Sequence, residues 1–291
     1  MNKFKFLILG ILFYAMLALI GCNKDTQAPN IYVLDADGNI LSDNQIDTTV
    51  LLFSIYIDPG VSVEDNVSDA ADIILTNDVE DVLSTTTAGN LRRTGQYTIN
   101  YTATDEASNT SIATREIFIE NISSPFTGSY QTERTSSQLA ETTYVSTVAA
   151  DTRISGRLVF PKVYIQEIGG ETSSFKINAD LFSPEISTSF SESIAYMGLV
   201  SDTETPFFTD LTYEQAIDSI LSFALLKIDA QDFTDDLGNS VQIAGREDGN
   251  LPLSRIEYLN GTKTITKIVL ELNVTFNGVP DSQVVETYTP Q

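Results

Sequence analysis

The residues able to do chemistry in this 291-residue chain are defined largely by what is missing. There is no histidine and no tryptophan, and Cys22 is the single cysteine. Without histidine the chain lacks the usual base of a nucleophilic triad, the commonest metal ligand and the side chain that titrates near neutral pH. Zinc chemistry, which needs several Cys or His ligands, is excluded with it. Carboxylates are abundant, 40 Asp and Glu in all, and two suffice for glycoside hydrolysis. Nothing in their spacing nominates a pair. Asp35-Ala36-Asp37-Gly38-Asn39 could pass for the start of a calcium loop. The EF-hand, however, needs glycine at its sixth position and glutamate at its twelfth, and these places hold Ile40 and Ile46. Asp65, Asp69, Asp72 and Asp105 carry oxygens of the kind Ca²⁺ takes, at spacings that turn residues bonding their own backbone also produce. We therefore read the chain as a non-enzyme with no catalytic residue, no metal and no cofactor.

A lone thiol in an exported protein is an oxidation liability, so Cys22 calls for a reason. Lys3 and Lys5 precede an apolar run of 15 residues, Phe6 to Ile20, shorter than the roughly 18 that suggest a membrane span. The run ends in Leu19-Ile20-Gly21-Cys22. This resembles the lipobox cut by lipoprotein signal peptidase, in which a small residue admits the protease and the cysteine accepts a diacylglycerol. The resemblance implies a signal peptide over residues 1–21 and a lipoprotein whose first residue, Cys22, carries fatty acids such as palmitate. Two or three acyl chains anchor stably where one binds only marginally. Asn23-Lys24-Asp25 is similar to the surface-export signal of Bacteroidota lipoproteins, a lysine two residues past the cysteine followed by acids. It implies outer-membrane anchoring with the body facing the cell exterior, and residues 22–28 as an acylated tether.

Removing residues 1–21 takes two lysines and no acid from a chain with 16 basic and 40 acidic residues, leaving a net charge of −26. Such a field repels nucleic acid and anionic lipid headgroups, so neither is an expected partner. The remaining 270 residues are enough for about two domains, and short apolar alternations rich in Val, Ile, Thr and Tyr predict antiparallel β structure.

Residues 29–120 read as a small β-sandwich. Ile31-Tyr32-Val33-Leu34 opens it and Asp35 to Asn39 turns the chain. Val50 to Ile57 leads to a second turn, Asp58-Pro59-Gly60. Tyr97, Ile99, Tyr101 and Ala103 alternate onto one face, and Ile112 to Ile119 returns after a turn at Asp105 to Asn109. Gly95-Gln96-Tyr97-Thr98-Ile99 has the spacing of a tyrosine corner, with Ile99 where an antibody domain places its second cysteine. Asp58-Pro59-Gly60-Val61 with Glu64-Asp65-Asn66, and Thr94 to Asp105 with Asn109-Thr110, resemble the bacterial Ig-like domain of many surface proteins. That family reads approximately D-P-G-V-x-A-x-D-N and G-x-Y-x-V-x-Y-x-A-x-D-x-x-G-N. Ser108 stands where it usually has glycine. The resemblance implies a spacer or adhesive module and says nothing of a ligand.

Asn121 to Pro125 is small, polar and ended by proline, and reads as a linker at 121–125. Residues 126–291 then form a second β-rich domain. Ile154 to Ile168 is β-prone, broken by Pro161 and closed by Gly169-Gly170; Phe175 to Leu181 alternates; Ile268, Leu270, Leu272, Val274 and Phe276 share a face before a turn at Asn277-Gly278. One amphipathic helix is predicted from Thr212 to Ile228, with Ile217, Ile220, Leu221, Ala224, Leu225 and Ile228 at helical spacing and Thr212 and Gln215 as a capping box. The fold class is therefore mainly β: an N-terminal Ig-like sandwich, then a β-rich domain with one helix. Phe126-Thr127-Gly128-Ser129-Tyr130, opening a β domain after an Ig-like module in an acylated chain, is similar to lipoproteins of Bacteroidota polysaccharide-utilisation loci. That likeness implies an accessory glycan-binding protein beside an outer-membrane importer. Tyr164, Tyr196, Phe207, Phe208 and Tyr213 are aromatics able to stack on sugars, though such side chains more often lie in a core. A structural or adhesive protein that binds other proteins through the Ig-like module is the alternative.

Overall fold

Short segments with side chains alternating between faces fold as strands, and they make this a mainly β protein. The computed structural model describes residues 25–41, 46–52, 56–83, 93–168, 170–183, 188–189, 225–234, 238–259 and 262–291. The leader at 1–21 and Cys22 lie outside the described residues. In the first half the strands are β1 (Asn30–Val33), β2 (Ile46–Leu51), β3 (Val61–Glu64), β4 (Ile74–Asn77), β5 (Gly95–Thr104) and β6 (Thr110–Glu120), with a short helix α1 (Val79–Leu83) between β4 and β5. The second half holds β7 (Gly128–Thr135), β8 (Thr142–Ala150), β9 (Arg157–Ile168), β10 (Glu171–Ser183), β11 (Thr188–Ser189), β12 (Leu225–Lys227) and β13 (Gln231–Thr234). It continues with β14 (Ser240–Gly245), β15 (Glu247–Asp248), β16 (Leu251–Pro252), β17 (Arg255–Tyr258), β18 (Ile265–Phe276) and β19 (Val279–Pro290).

The chain divides into two compact units. The first comprises Met1–Gln45, Pro59–Asp78 and Ile99–Arg115; the second comprises Ile46–Asp58, Val79–Thr98 and Glu116–Gln291. In the first unit β1 pairs antiparallel with β3, from Asn30↔Glu64 to Val33↔Val61, and β4 pairs antiparallel with β5, from Ile74↔Thr104 to Asn77↔Tyr101. Ile99, Tyr101 and Ala103 are buried, as the alternation requires. The turn after β1 is held by Asp35, whose carboxylate accepts the Asp37 and Asn39 amides at 2.9 and 2.8 Å. Bonding to Asn39 holds that carboxyl below its ordinary range. Arg115 is buried and serves as a polar cross-brace. Its Nε donates to the Tyr101 hydroxyl at 2.9 Å, and its Nη2 donates to the Leu34 and Gly60 carbonyls at 2.7 and 3.0 Å.

In the second unit β2 lies parallel to β6, from Ile46↔Glu116 to Leu51↔Glu120, a departure from the all-antiparallel expectation. Residues 121–125 are not a solvated spacer. Asn121, Ile122 and Ser123 are buried, and Ser124–Phe126 forms a short 3₁₀ turn. The Asn121 amide donates to the Asp151 and Ile154 carbonyls at 2.6 and 2.8 Å. Its oxygen accepts from the Ser123 amide and hydroxyl and from the Gly156 amide. A buried amide that spends both ends this way fastens the entry of the following strands, because leaving it unpaired would carry the full desolvation penalty.

Apart from β15 and β16, which pair with each other, the strands from β7 onward build a sheet that closes. The order β18-β17-β12-β10-β9-β8-β7-β19 returns on itself through pairing of β19 with β18, while β14 and β13 extend from β18 and β11 pairs with β10. Closure removes exposed edges, and eight strands leave an interior that side chains can fill. Ile177, Leu226, Ile256, Leu270 and Leu272 belong to that filling. The β18–β19 hairpin turns on Asn277 and Gly278 at φ +47° and +79°, the left-handed pair a two-residue turn needs. Pro161 does not break β9. The strand runs through it, with a register shift against β10 between the Phe160↔Ile177 and Val163↔Phe175 pairs, since an irregularity accommodates a residue that has no amide donor. Of the helix expected over 212–228, residues 212–224 lie outside the described residues, and Leu225–Lys227 is the strand β12. Pairing with β10 at Asp180↔Lys227 to Phe182↔Leu225 overrides the helical periodicity there.

Candidate functional site

Two groups of polar side chains collect inside the described structure. The first lies wholly within the first unit and joins three turns. Asp25 precedes β1, Asp65 directly follows β3, and Asp105 opens the turn between β5 and β6. One carboxylate oxygen from each lies within 4.8 Å of the others. Each residue also secures its own turn. Asp25 Oδ1 accepts the Gln27 amide at 3.0 Å; Asp65 Oδ2 accepts the Val67 and Ser68 amides at 3.0 and 2.8 Å; Asp105 Oδ1 accepts the Asn109 amide at 2.7 Å. Hydrogen bonds from Ser68 and Val67 hold the Asp65 carboxyl below its ordinary range. Asn109 Nδ2 reaches Asp105 Oδ2 at 2.8 Å and the Asp25 and Gln27 carbonyls at 3.2 Å each, so one amide gathers the segment before β1 onto the β5–β6 turn.

Asp65 and Asp105 were singled out in the sequence together with Asp69 and Asp72, and the structure brings only the first two together. Asp69 precedes and Asp72 ends a short 3₁₀ turn at Ala70–Asp72, and both are outside the cluster. Asp25 was read only as part of an export address. Its place beside Asp105 follows from the bonds made by Asn109, a long-range contact that spacing along the chain does not reveal.

The second group lies inside the closed sheet. Glu286 on β19 is fully buried and accepts the Tyr288 hydroxyl at 2.6 Å, the Tyr144 hydroxyl at 2.9 Å and the Tyr164 amide at 2.6 Å. Burial pushes its carboxyl above the ordinary range, against the opposing pull of those donors and of Arg134. Asp281 accepts from the Ser136 hydroxyl and from the Ser137 hydroxyl at 2.9 Å. Arg134 on β7 is buried, donates through Nη2 to the Ala140 carbonyl at 2.9 Å and lies 5.8 Å from the Tyr164 ring centre. Its Nε and Nη1, with the Thr132 and Ser146 hydroxyls, are shielded from solvent without a hydrogen-bond partner. The Glu286 carboxyl group is thus committed to three protein donors, within a buried polar network that keeps spare donors.

Tyr164, a candidate sugar platform by sequence, is 2% exposed. Its backbone sits at φ +54° in a second register shift of β9, between the Val163↔Phe175 and Gln166↔Ser173 pairs, and its amide is held by Glu286. The ring packs 6.4 Å from that of Phe276, so no face is open for stacking. Tyr196, Phe207, Phe208 and Tyr213 lie outside the described residues.

No family model matches the chain, and no curated protein does. Among solved structures, a lipoprotein from Bacteroides thetaiotaomicron is similar over 90% of this chain and 100% of its own, at 9% sequence identity and a TM-score of 0.23. A likeness of that size carries no argument about fold or function. No helix of the described residues is long and apolar enough to cross a membrane.

Proposed function

We propose that this protein is a non-catalytic lipoprotein of the outer membrane, anchored through acylated Cys22 with its body facing outward, and that it captures a glycan as an accessory to polysaccharide uptake. The observation that carries the anchoring is Leu19-Ile20-Gly21-Cys22 at the end of a 15-residue apolar run, in a chain with no other cysteine. One feature supports glycan as the ligand class. A net charge of −24 for the whole chain disfavours polyanions and leaves neutral, hydroxyl-rich molecules acceptable.

A second reading is favoured by one feature of the first unit. Among the described residues β4 is an edge strand, exposed along its length, with Ile74 at 67% and Leu75 at 40%. Such an edge is a template for adding a strand from another protein. Labelling cells with radioactive palmitate, followed by glycan-array and matrix-protein binding by the mature chain, separates these outcomes. Wild-type protein takes up label and pellets with membranes, Cys22→Ser does neither, and a neutral glycan binds saturably. Equal membrane association of both forms without label overturns the anchor. Saturable protein binding with no glycan binding replaces the first reading with the second.

A further inference from the structure

We propose that Asp25, Asp65 and Asp105 form a binding site for a hard divalent cation, with Ca²⁺ the best match to their all-oxygen ligand set. A cluster of acids alone would not establish this, because turn aspartates are common. The added observation is that Asp25 Oδ2 and Asp65 Oδ1 are both shielded from solvent and accept no hydrogen bond, while the Asp105 side chain, which closes the cluster, is 4% exposed. Among the described residues no Lys or Arg forms an ion pair with any of the three. Charged oxygens removed from water without a donor or counter-charge are strongly unfavourable. A cation between them supplies the missing partner to Asp25 Oδ2 and Asp65 Oδ1 and a counter-charge to Asp105, whose two oxygens accept from Asn109.

The spacing fits this role. Ca²⁺ holds its oxygens at about 2.3–2.6 Å, so ligands of one ion lie up to about 5 Å apart, and the three oxygens here are within 4.8 Å of one another. Ca²⁺ also tolerates irregular coordination and completes its shell with backbone carbonyls or water, whereas Mg²⁺ demands near-octahedral geometry. Zn²⁺, whose sites are built mainly on sulfur and nitrogen, is a poorer match to an all-oxygen set. The turn hydrogen bonds already orient each carboxylate through its other oxygen or lone pair, leaving the shielded oxygens free to ligate. A bound ion would join residue 25 to the β3 and β5–β6 turns, adding to the clasp that Asn109 makes. If Cys22 is acylated, as proposed above, the same ion shortens the lever between the lipid and the first unit; that consequence rests on the lipoprotein reading, and the site itself does not.

The test is calorimetric titration of the mature chain with Ca²⁺ after chelator treatment, together with its thermal unfolding with and without Ca²⁺. We expect saturable binding of one ion with a Kd of about 0.1–1 mM, the range of extracellular modules, and a rise in the unfolding midpoint. Asp65→Asn and Asp105→Asn weaken binding at least about tenfold. Asp25→Asn does the same and guards against misfolding, since its Oδ1 makes a single turn bond. Asp69→Asn, outside the cluster, leaves binding unchanged. Absence of saturable binding up to about ten times the upper Kd bound, or equal loss in Asp69→Asn and Asp25→Asn, overturns the site. Binding to the Cys22→Ser form as tightly as to the parent leaves the site intact whatever the fate of the lipid anchor.

Discussion

At the scale of single residues, the turn between β5 and β6 shows how a sequence departure is absorbed. Ser108 stands where the resembling Ig-like family has glycine, and its φ is +69°. An L-residue in that region carries a steric penalty of about 1–2 kcal/mol. The turn tolerates it because Ser108 donates its amide to the Asp105 carbonyl at 3.1 Å and Asn109 binds the Asp105 carboxylate through both its amides. Ser108→Gly removes the penalty and returns part of the gain as unfolded-chain entropy. We expect a net stabilisation of about 0.5–1 kcal/mol, read as a higher urea midpoint with unchanged slope. A lower midpoint would show that the serine hydroxyl, not the backbone, governs this turn. The chemistry of the acidic cluster was half legible here. Asp65 and Asp105 are turn residues in recognisable motifs, but nothing local points from either to Asp25.

At the scale of elements, the chain uses one device twice. Gly95 and Gly128 both sit at large positive φ, +149° and +140°. Two residues beyond each, a tyrosine bends its hydroxyl back to a carbonyl four residues upstream. Tyr97 bonds Arg93 at 2.9 Å, and Tyr130 bonds Phe126 at 2.7 Å. The first corner was legible from its spacing. The second carries the same Gly-x-Tyr signal in Phe126-Thr127-Gly128-Ser129-Tyr130, there taken only as the opening of a domain. Tyr130 is the more deeply buried, and burial pushes its hydroxyl up to about 12. Removing that hydroxyl leaves the Phe126 carbonyl without its donor. Tyr130→Phe should therefore lose about 1–2 kcal/mol, more than Tyr97→Phe, where water can replace the bond. Parallel denaturant titrations of the two variants check the order; equal losses would mean that burial does not set the value of the corner. Helical periodicity fared worse: at Leu225–Lys227, the end of the segment with helical spacing found a better partner in β10 than in its own turn.

At the scale of the molecule, closing the second unit's sheet places a carboxyl out of reach of water, and this has a pH signature. The folded-state pKa of Glu286 is raised above 4.5, first by burial. The folded protein thus holds this proton more tightly than the unfolded chain does. Its contribution to stability is complete below about pH 4.5 and is lost as pH rises through the raised value. Glu286→Gln has no proton to lose at this position. The stability of wild type relative to Glu286→Gln should therefore fall as pH increases from 4.5 toward 8, measured by urea unfolding at several pH values. A difference that stays flat, or grows with pH, would show that the Tyr144, Tyr164, Tyr288 and Arg134 groups outweigh burial.

By itself the sequence determined the mainly β class, the faces of β5, β10 and β18, and the turns at Asp35 to Asn39 and Asn277-Gly278, because alternation and left-handed turn residues act over a few neighbours. The chemical inventory, without histidine and with one cysteine beside an apolar leader, was likewise complete in the composition. Tertiary structure alone decided the parallel pairing of β2 with β6, the return of β19 to β18, the burial of Tyr164 beneath Arg134, and the meeting of Asp25 with Asp65 and Asp105. Each depends on which distant segment supplies a hydrogen-bond partner once water is excluded, and that choice is made by the competition among all available partners in the folded chain.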